Sequence, residues 1–550
     1  MEAFASPEHD WWRNSVVYQL YVKSFADSDA DGMGDLGGIV QRLDHIVSLG
    51  VDAIWLNPCY PSPNKDGGYD VADYLIVAER LGGMAAFEKL RDACHDRGLR
   101  LLMDLVPNHC SDQHHWFQAA LAAGPGSDQR ARFHFAEGRG TDGAEPPNNW
   151  RSTFGGPAWT RVADGQWYLH AFDSSQPDFN WDHSAVAEMF DDVLRTWFDR
   201  GVDGFRIDVA YAMVKAAGLP DLEDPDGDNP YLWNQPGVHP IFERWRRLAD
   251  SYDPPRNLLG EVWLQPAQIA DYLRPGELHQ AFYFDLMQQP FEAAAFERSV
   301  RETFEGLNED SGAPTWTLNS HDVHRSVSRY GLVEPEPTLS QDPNALRTRA
   351  RGKVDVEMGI QRATAALLFI LGLPGSVFLY QGEELGLPEV QDLPDGARQD
   401  PIWERSGRTE HGRDGCRVPL PWEGLAPPFG FSEGSPWLPQ PAWFAEFAAA
   451  SQEDESDSVL SFYRTALAAR RHIDGAAGLE WVDTGRSDVL AYRRGDLTCA
   501  VVFGGDTFRA PESWGAVTVS NQPVDERGCR PNSAAWFAPA SCHGSSEEEA

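Results

Sequence analysis

From about residue 15 the chain alternates short apolar runs of β type with stretches whose apolar side chains recur at helical spacing. That alternation is the pattern of a parallel α/β sheet or barrel. Eight runs can be counted: Val16 to Phe25, Val51 to Asn57, Leu99 to Val106, Gly201 to Val209, Asn257 to Trp263, Gln280 to Leu286, Pro314 to Asp322 and Ser376 to Glu383. Eight parallel strands with intervening helices close a (β/α)8 TIM barrel, an α/β fold. Met84 to Arg97 and Val186 to Arg200 read as outer helices, the second with Val193, Leu194, Trp197 and Phe198 at helical spacing.

Two connections far exceed the roughly two to six residues of an ordinary βα loop. Residues 107–183, rich in Gly, Pro and Asn and carrying Trp116, Trp150, Trp159 and Trp167, predict a small inserted domain after strand three. Residues 385–457, dense in Pro, Gly and Trp, predict a long loop or subdomain after strand eight, over the same barrel face and narrowing its entrance. The barrel then takes residues 1–106 and 184–472. After a helix at Val459 to His472, the runs Val489 to Arg493, Cys499 to Phe503 and Val517 to Ser520 predict a C-terminal antiparallel β-domain over 473–544. The acidic residues 545–550 read as a disordered tail.

Composition narrows the function classes. Hydrophobic residues make up 42% of the chain, with 20 Trp and 28 Phe, which is globular. A net charge of −38 excludes nucleic-acid backbone binding as the main activity, because that needs a Lys/Arg excess. Neutral substrates fit better. The seven Cys are scattered and without C-x-x-C spacing, so neither a zinc site nor a disulfide framework is expected. The start of the chain lacks a basic, then apolar, signal pattern, and no apolar run reaches about 18 residues. The expectation is a cytoplasmic protein with no membrane partner, a monomer or homodimer.

The chemistry is concentrated where four runs end: Asp104-Leu-Val-Pro-Asn-His109, Gly204-Phe-Arg-Ile-Asp208, Gly260-Glu261 and Asn319-Ser-His-Asp322. Asp208, Glu261 and Asp322 come from separate strands, and strand ends converge at a barrel's C-terminal face, where such enzymes build their sites. Arg206, two residues before Asp208, projects to the same side of its strand, and its charge favours an ionised Asp208. Asp104 sits earlier in its strand and reads as support for the loop that follows.

These segments resemble, in sequence and in order, the signature regions of family 13 glycoside hydrolases, the α-amylase family. Gly50-Val-Asp-Ala-Ile-Trp-Leu-Asn-Pro58, Gln176-Pro-Asp-Phe-Asn180 and Gly372 to Glu384 resemble that family's accessory signatures, so the likeness spans most of residues 11–540. The resemblance implies that Asp208 is a nucleophile, Glu261 an acid/base and Asp322 a transition-state stabiliser. It also implies that His109 and His321 bond sugar hydroxyls. A retaining hydrolase sets one attacking carboxylate about 5 to 5.5 Å from one protonated carboxyl, a gap that adjacent strands four and five can span. Glu261 must hold a proton near neutrality, and Asp322 is the neighbour expected beside it.

Asp66-Gly-Gly-Tyr-Asp70 is similar to a segment of the family's exo-acting α-glucosidases, in which the Asp pairs with an Arg to close the pocket and the Tyr stacks on the sugar. Asp66 and Tyr69 take those places. Gly412-Arg-Asp-Gly-Cys-Arg-Val-Pro419 supplies the Arg, Arg413 ahead of Arg417. Asp27-Ser-Asp29-Ala-Asp31-Gly-Met33-Gly-Asp35 resembles the first half of a calcium loop, without a Glu at the twelfth position. The resemblance implies a structural Ca²⁺ held by Asp27, Asp29, Asp31 and Asp35 and the Met33 carbonyl. In the α-glucosidases it resembles, Val directly after the nucleophile is frequent in enzymes cleaving α-1,6 bonds, so Val209 implies that linkage, whereas Ala210-Tyr211-Ala212-Met213 departs from the oligo-1,6-glucosidase pattern. The expected activity is an α-glucosidase on short oligosaccharides; the alternatives are a glucosyl-transferring or isomerising enzyme directed at trehalose or sucrose, and a non-catalytic barrel partner. Trp403 and Phe431 are candidates to shape the acceptor side.

Overall fold

The computed structural model describes residues 10–225, 227–307, 311–336 and 351–539. Eight parallel strands close on themselves in sequence order: β1 (Val16–Leu20), β2 (Ala53–Leu56), β3 (Arg100–Leu105), β4 (Gly204–Ile207), β5 (Asn257–Gly260), β6 (Gln280–Phe282), β7 (Ala313–Thr317) and β8 (Ser376–Tyr380), with β8 pairing β1. The strands are buried on both faces, which is why they read as continuous apolar runs. Val17, Ala53, Trp55, Leu102, Leu259, Phe282 and Phe378 form one cluster that fills the barrel. The helix Ser184–Asp199 buries Val186, Phe190, Val193, Leu194, Trp197 and Phe198 and leaves its polar stripe outside.

Every predicted strand exists, yet most stop short of their predicted C-terminal ends. β1 stops at Leu20, and residues 22–24 turn into a 3-10 helix; β4 spans only Gly204–Ile207 of the predicted Gly201 to Val209. Burial continues past the ladder because the barrel mouth is covered by long loops, so apolar pattern alone overruns the hydrogen bonding.

Within residues 107–183 two short helices, His115–Ala123 and Asp128–Ala131, precede a three-stranded antiparallel sheet of Phe135–Glu137, Trp159–Arg161 and Gln166–Leu169, with the last strand central. Residues 385–457 contain short helices and turns, and part of this segment lies over the cavity at the strand ends. A five-stranded antiparallel sheet follows, ordered Glu480–Val482, Val489–Arg494, Leu497–Val502, Ser533–Ala538, Ala516–Ser520. The expected tail 545–550 and Cys542 lie outside the described residues. The six described cysteines are buried and free. Among the described residues, no helix is long and apolar enough to cross a membrane.

Candidate active site

Asp208 and Glu261 are the first residues beyond β4 and β5, and Asp322 lies in the loop after β7. All three line one cavity of about 650 Å³ at the strand ends, together with Asp66, Tyr69, His109 and Arg413. Arg206 and His321, expected to touch sugar, do not line it. They sit beneath its floor, around a small void shared with Glu261 and Asp322.

Parallel register explains the floor. Arg206 pairs with Asp104 across β3 and β4, so its guanidinium rises between three carboxyls. Arg206 Nη1 donates to Asp104 at 2.7 Å and to Asp208 at 2.8 Å, while Nη2 lies 2.6 Å from Glu261. Asp104 therefore supports the site itself, not the loop: it also accepts from Tyr69 at 2.9 Å and from the Trp55 indole at 3.2 Å. Burial pushes the Asp104 carboxyl up to about 7, against the pull of Arg206. Burial likewise raises Asp208 well above the usual carboxylate range; Arg206 opposes the shift, and Glu261, Asp104 and Asp322 add to it. Burial thus favours the protonated forms of Asp104 and Asp208 against the pull of the one guanidinium.

Glu261 and Asp322 border the same small void, as expected of neighbours, and Glu261 has partners beyond Arg206. Its second anchor is the backbone N–H of Val209, 2.9 Å from Oε2, and its third the Trp263 indole, 2.8 Å from Oε1. Val209 reaches this position at φ 35°, in the left-handed region, which strains a β-branched residue. Asp322 is held by two cations, Arg413 at 3.1 Å and Arg417 at 2.9 Å, and by the His321 ring at 3.2 Å, which burial keeps neutral. Burial would raise this carboxyl, but His321, Arg413 and Arg417 outweigh it and hold it well below the usual range. Gln19 donates to His321 Nδ1 at 2.7 Å, which leaves Nε2 as the protonated nitrogen facing Asp322 and the Tyr69 hydroxyl. The Tyr69 ring lies parallel to that of His321, 5.4 Å between centroids.

At one end of the cavity Arg413 meets Asp66 at 2.8 Å. Asp400, fully buried, fixes the same guanidinium at 2.6 Å, and Gln176 bridges Asp66 to His109 at 3.1 and 3.2 Å. Burial pulls the His109 ring down to about 4, so it faces the cavity neutral. Beneath it the buried Lys215 binds Asp178 at 2.9 Å and Asn108 at 2.6 Å, tying the loop after β4 to the one after β3.

Asp400 and Lys215 were missed from sequence, and Arg417, the second choice there for pairing Asp66, binds Asp322 instead. The rest of the wall is Phe154, Phe172, Tyr211, Trp233 and Trp263, with Ile402, Ser406 and Glu410 from the late segment. Trp403 and Phe431 do not line this cavity: both are buried, and Trp403 packs against His411 and Arg398.

In the acidic loop, carboxylate oxygens of Asp27, Asp29 and Asp35 lie within 4.8 Å of one another, a donor set of hard oxygens that fits a divalent cation. Asp31 is not in that group; its Oδ1 accepts from the Met33 N–H at 2.8 Å. Asp35 additionally caps the helix Leu36–Gln41.

Known proteins resemble the chain over most of its length. The chain is 33% identical over 505 residues to the oligo-1,6-glucosidase of Parageobacillus thermoglucosidasius, covering 85% of this chain and 84% of that protein. It is 36% identical over 516 residues to a probable alpha-glucosidase of Rhizobium meliloti, covering 89% and 88%. The solved structure of the alpha-glucosyl transfer enzyme XgtA superposes with a TM-score of 0.81 at 34% identity, over 96% of this chain and 99% of that one. The sequence profile described as "Alpha amylase, catalytic domain" matches residues 19–476, so the chain belongs to the α-amylase family of glycoside hydrolases.

Proposed function

We propose that the protein is an exo-acting, retaining α-glucosidase that removes terminal glucose from short α-linked oligosaccharides. The observation that carries the reading is the Asp66–Arg413 ion pair at 2.8 Å, which closes one end of the cavity beside Asp322. A closed end admits a chain terminus and excludes a polymer passing through. The terminal glucose sits between this pair and the floor, its hydroxyls meeting Asp66, His109, Asp322 and Arg413. Asp208 attacks the anomeric carbon while Glu261 gives its proton to the departing oxygen, and a glucosyl ester forms. Glu261 then takes a proton from water as that water attacks the same carbon, and Asp208 is released. Two carboxyls gripped by one guanidinium favour the short separation of a retaining pair over the roughly 6.5 to 9.5 Å of an inverting one.

Transfer to a second sugar is the competing outcome, supported by the likeness to an alpha-glucosyl transfer enzyme and by the aromatic acceptor wall of Phe172, Tyr211, Trp233 and Trp263. Val209 lines the cavity at that side and supports activity on α-1,6 as well as α-1,4 bonds. Incubation with maltose, isomaltose, sucrose, trehalose and soluble starch tests both. The expected result is free glucose from maltose and isomaltose with starch barely attacked. Rapid starch liquefaction refutes the closed pocket, and an isomerised disaccharide with little glucose refutes hydrolysis as the main reaction. Asp27, Asp29 and Asp35 would hold a Ca²⁺ that ties the loop after β1 together, away from the carboxylates. Chelation then lowers the melting temperature, and added Ca²⁺ restores it; a melt indifferent to both rejects the ion.

A further inference from the structure

The opposite end of the barrel contains a second cavity, of about 330 Å³, built by segments far apart in sequence. Residues 11–16 lead into β1, Gly50 and Asp52 precede β2, Arg470 and Arg471 end the helix Val459–Arg470, and Arg494 ends a strand of the C-terminal sheet. Three guanidiniums and one carboxylate line it, an excess of two positive charges in a chain whose net charge is −38.

Many buried arginines of this protein meet carboxylates, as Arg206 and Arg413 do; the ones here meet carbonyls. Arg470 donates to the carbonyls of Leu371, Asn14 and Gly375, and Arg494 to those of Leu373 and Gly475 and to the Asn14 side chain. Arg471, at the exposed mouth, gives only Nη2 to the Gly50 carbonyl at 2.9 Å, and the rest of its fork is uncommitted among the described residues. Asp52 spends Oδ2 on the Val16 N–H at 2.7 Å, and Asp474 spends Oδ1 on the Ala476 N–H at 2.9 Å. Neither is ion-paired with any of the three. Burial, with Arg494 adjacent, draws Arg470 down to about 10, the direction expected of a cation short of counter-charge. Buried charge of one sign is stabilised by a ligand of the other, and planar guanidinium forks match tetrahedral oxyanions.

We propose that this cavity binds the phosphate group of a small molecule, with Arg471 and Arg470 as direct ligands and Arg494 supplying charge from behind. The several oxygens of a phosphate suit more than one guanidinium fork at once, which a chloride does not. Trp11, Val16, Leu467 and Ile473 give the cavity an apolar side against which the carbon skeleton of a phosphate ester rests. The site lies at the N-terminal strand ends, so its occupant does not compete with the sugar substrate.

Isothermal titration of the full-length protein with inorganic phosphate and with glucose 6-phosphate, in glucose-saturated buffer and at chloride-matched ionic strength, tests this. The wild type is expected to bind at millimolar concentration or tighter. Arg471→Ser should weaken binding about tenfold while leaving kcat/KM on maltose unchanged, since Arg471 is remote from the catalytic cavity. Tighter binding of glucose 6-phosphate assigns the site to a phosphate ester, and equal binding to free phosphate. No phosphate-specific heat in the wild type, or unaltered binding by Arg471→Ser, overturns the proposal.

Discussion

Replacing Arg413 with Ala removes one guanidinium from three carboxylates: Asp66 at 2.8 Å, Asp322 at 3.1 Å and Asp400 at 2.6 Å. None is left bare. Asp322 keeps Arg417 at 2.9 Å, Asp66 keeps the Gln176 amide at 3.1 Å, and Asp400 keeps the N–H groups of Ile402 and of residue 413 itself. The loss therefore falls below the ~3–5 kcal/mol of orphaning a buried ion at each position. It is closer to one charge-assisted hydrogen bond per carboxylate, ~1.5–3 kcal/mol each. The Asp66 and Asp322 bonds orient groups placed to face the sugar, and together they account for ~3–6 kcal/mol of transition-state binding, or about 10²–10⁴ in kcat/KM. The Asp400 share appears in folding, as a lower melting temperature. Steady-state kinetics on p-nitrophenyl α-D-glucoside for wild type, Arg413→Ala, Asp66→Ala and the double variant separate these effects. Asp66 and Arg413 act as a unit, so the double variant should fall little below the worse single one. The reasoning is refuted if Arg413→Ala keeps kcat/KM within about threefold of wild type, or if the two single losses add in full.

Asp208→Asn should reduce kcat at least ~10⁴-fold without unfolding, because no other carboxyl in the floor can form the ester; single-turnover assays with an aryl glucoside check it. Glu261→Gln should slow maltose far more than a nitrophenyl glucoside, whose leaving group needs no proton; equal slowing would remove Glu261 from that role. Stability should peak near neutrality. Burial holds His109 and His279 at about 4 and His114 and His134 at about 3, below the unfolded value, so the native state binds fewer protons and stability rises with pH up to about 6.5. Burial raises Glu383 to about 7 and Glu389 to about 8, above the unfolded value, so that stabilisation is present in full at low pH and is lost as pH rises through 7 to 8. Glu389→Gln should flatten this alkaline limb in melts taken from pH 5 to 9, and an unchanged limb would reject the assignment.

The barrel was legible because strands buried on both faces are apolar throughout and are punctuated by helical stretches. The strand-end carboxylates were legible because three of them close separate apolar runs, in segments that resemble the family's signatures in order. What escaped the sequence depends on distance across loops. Asp400 looks like any acidic residue before a proline, yet it lies fully buried against Arg413. Lys215 sits in a stretch without periodicity, and only the fold brings it to Asp178 and Asn108. Asp104 was misread because its strand position suggested a role in the chain that follows, whereas β-register places it opposite Arg206. Trp403 and Phe431 show the converse: aromatic residues in a long loop fill that loop's own core before they reach a ligand.

Register also explains why one arginine sits at the centre of the floor. With Asp208 as nucleophile and Glu261 as acid, forming the glucosyl ester neutralises Asp208 at the moment Glu261 gives up its proton. The net charge of the pair is the same before and after. One unit of negative charge moves from an oxygen 2.8 Å from Arg206 Nη1 to an oxygen 2.6 Å from Nη2. The guanidinium need not move, and no water must reorganise around it, which is the condition for electrostatic preorganisation. Asp104, fixed on the same Nη1 at 2.7 Å and by Tyr69, holds that guanidinium in place. The strained backbone of Val209 serves the same end, since its N–H meets the Glu261 oxygen that receives the charge. Asp322 stands outside this exchange with its two arginines, so the proposed reaction leaves its charge constant.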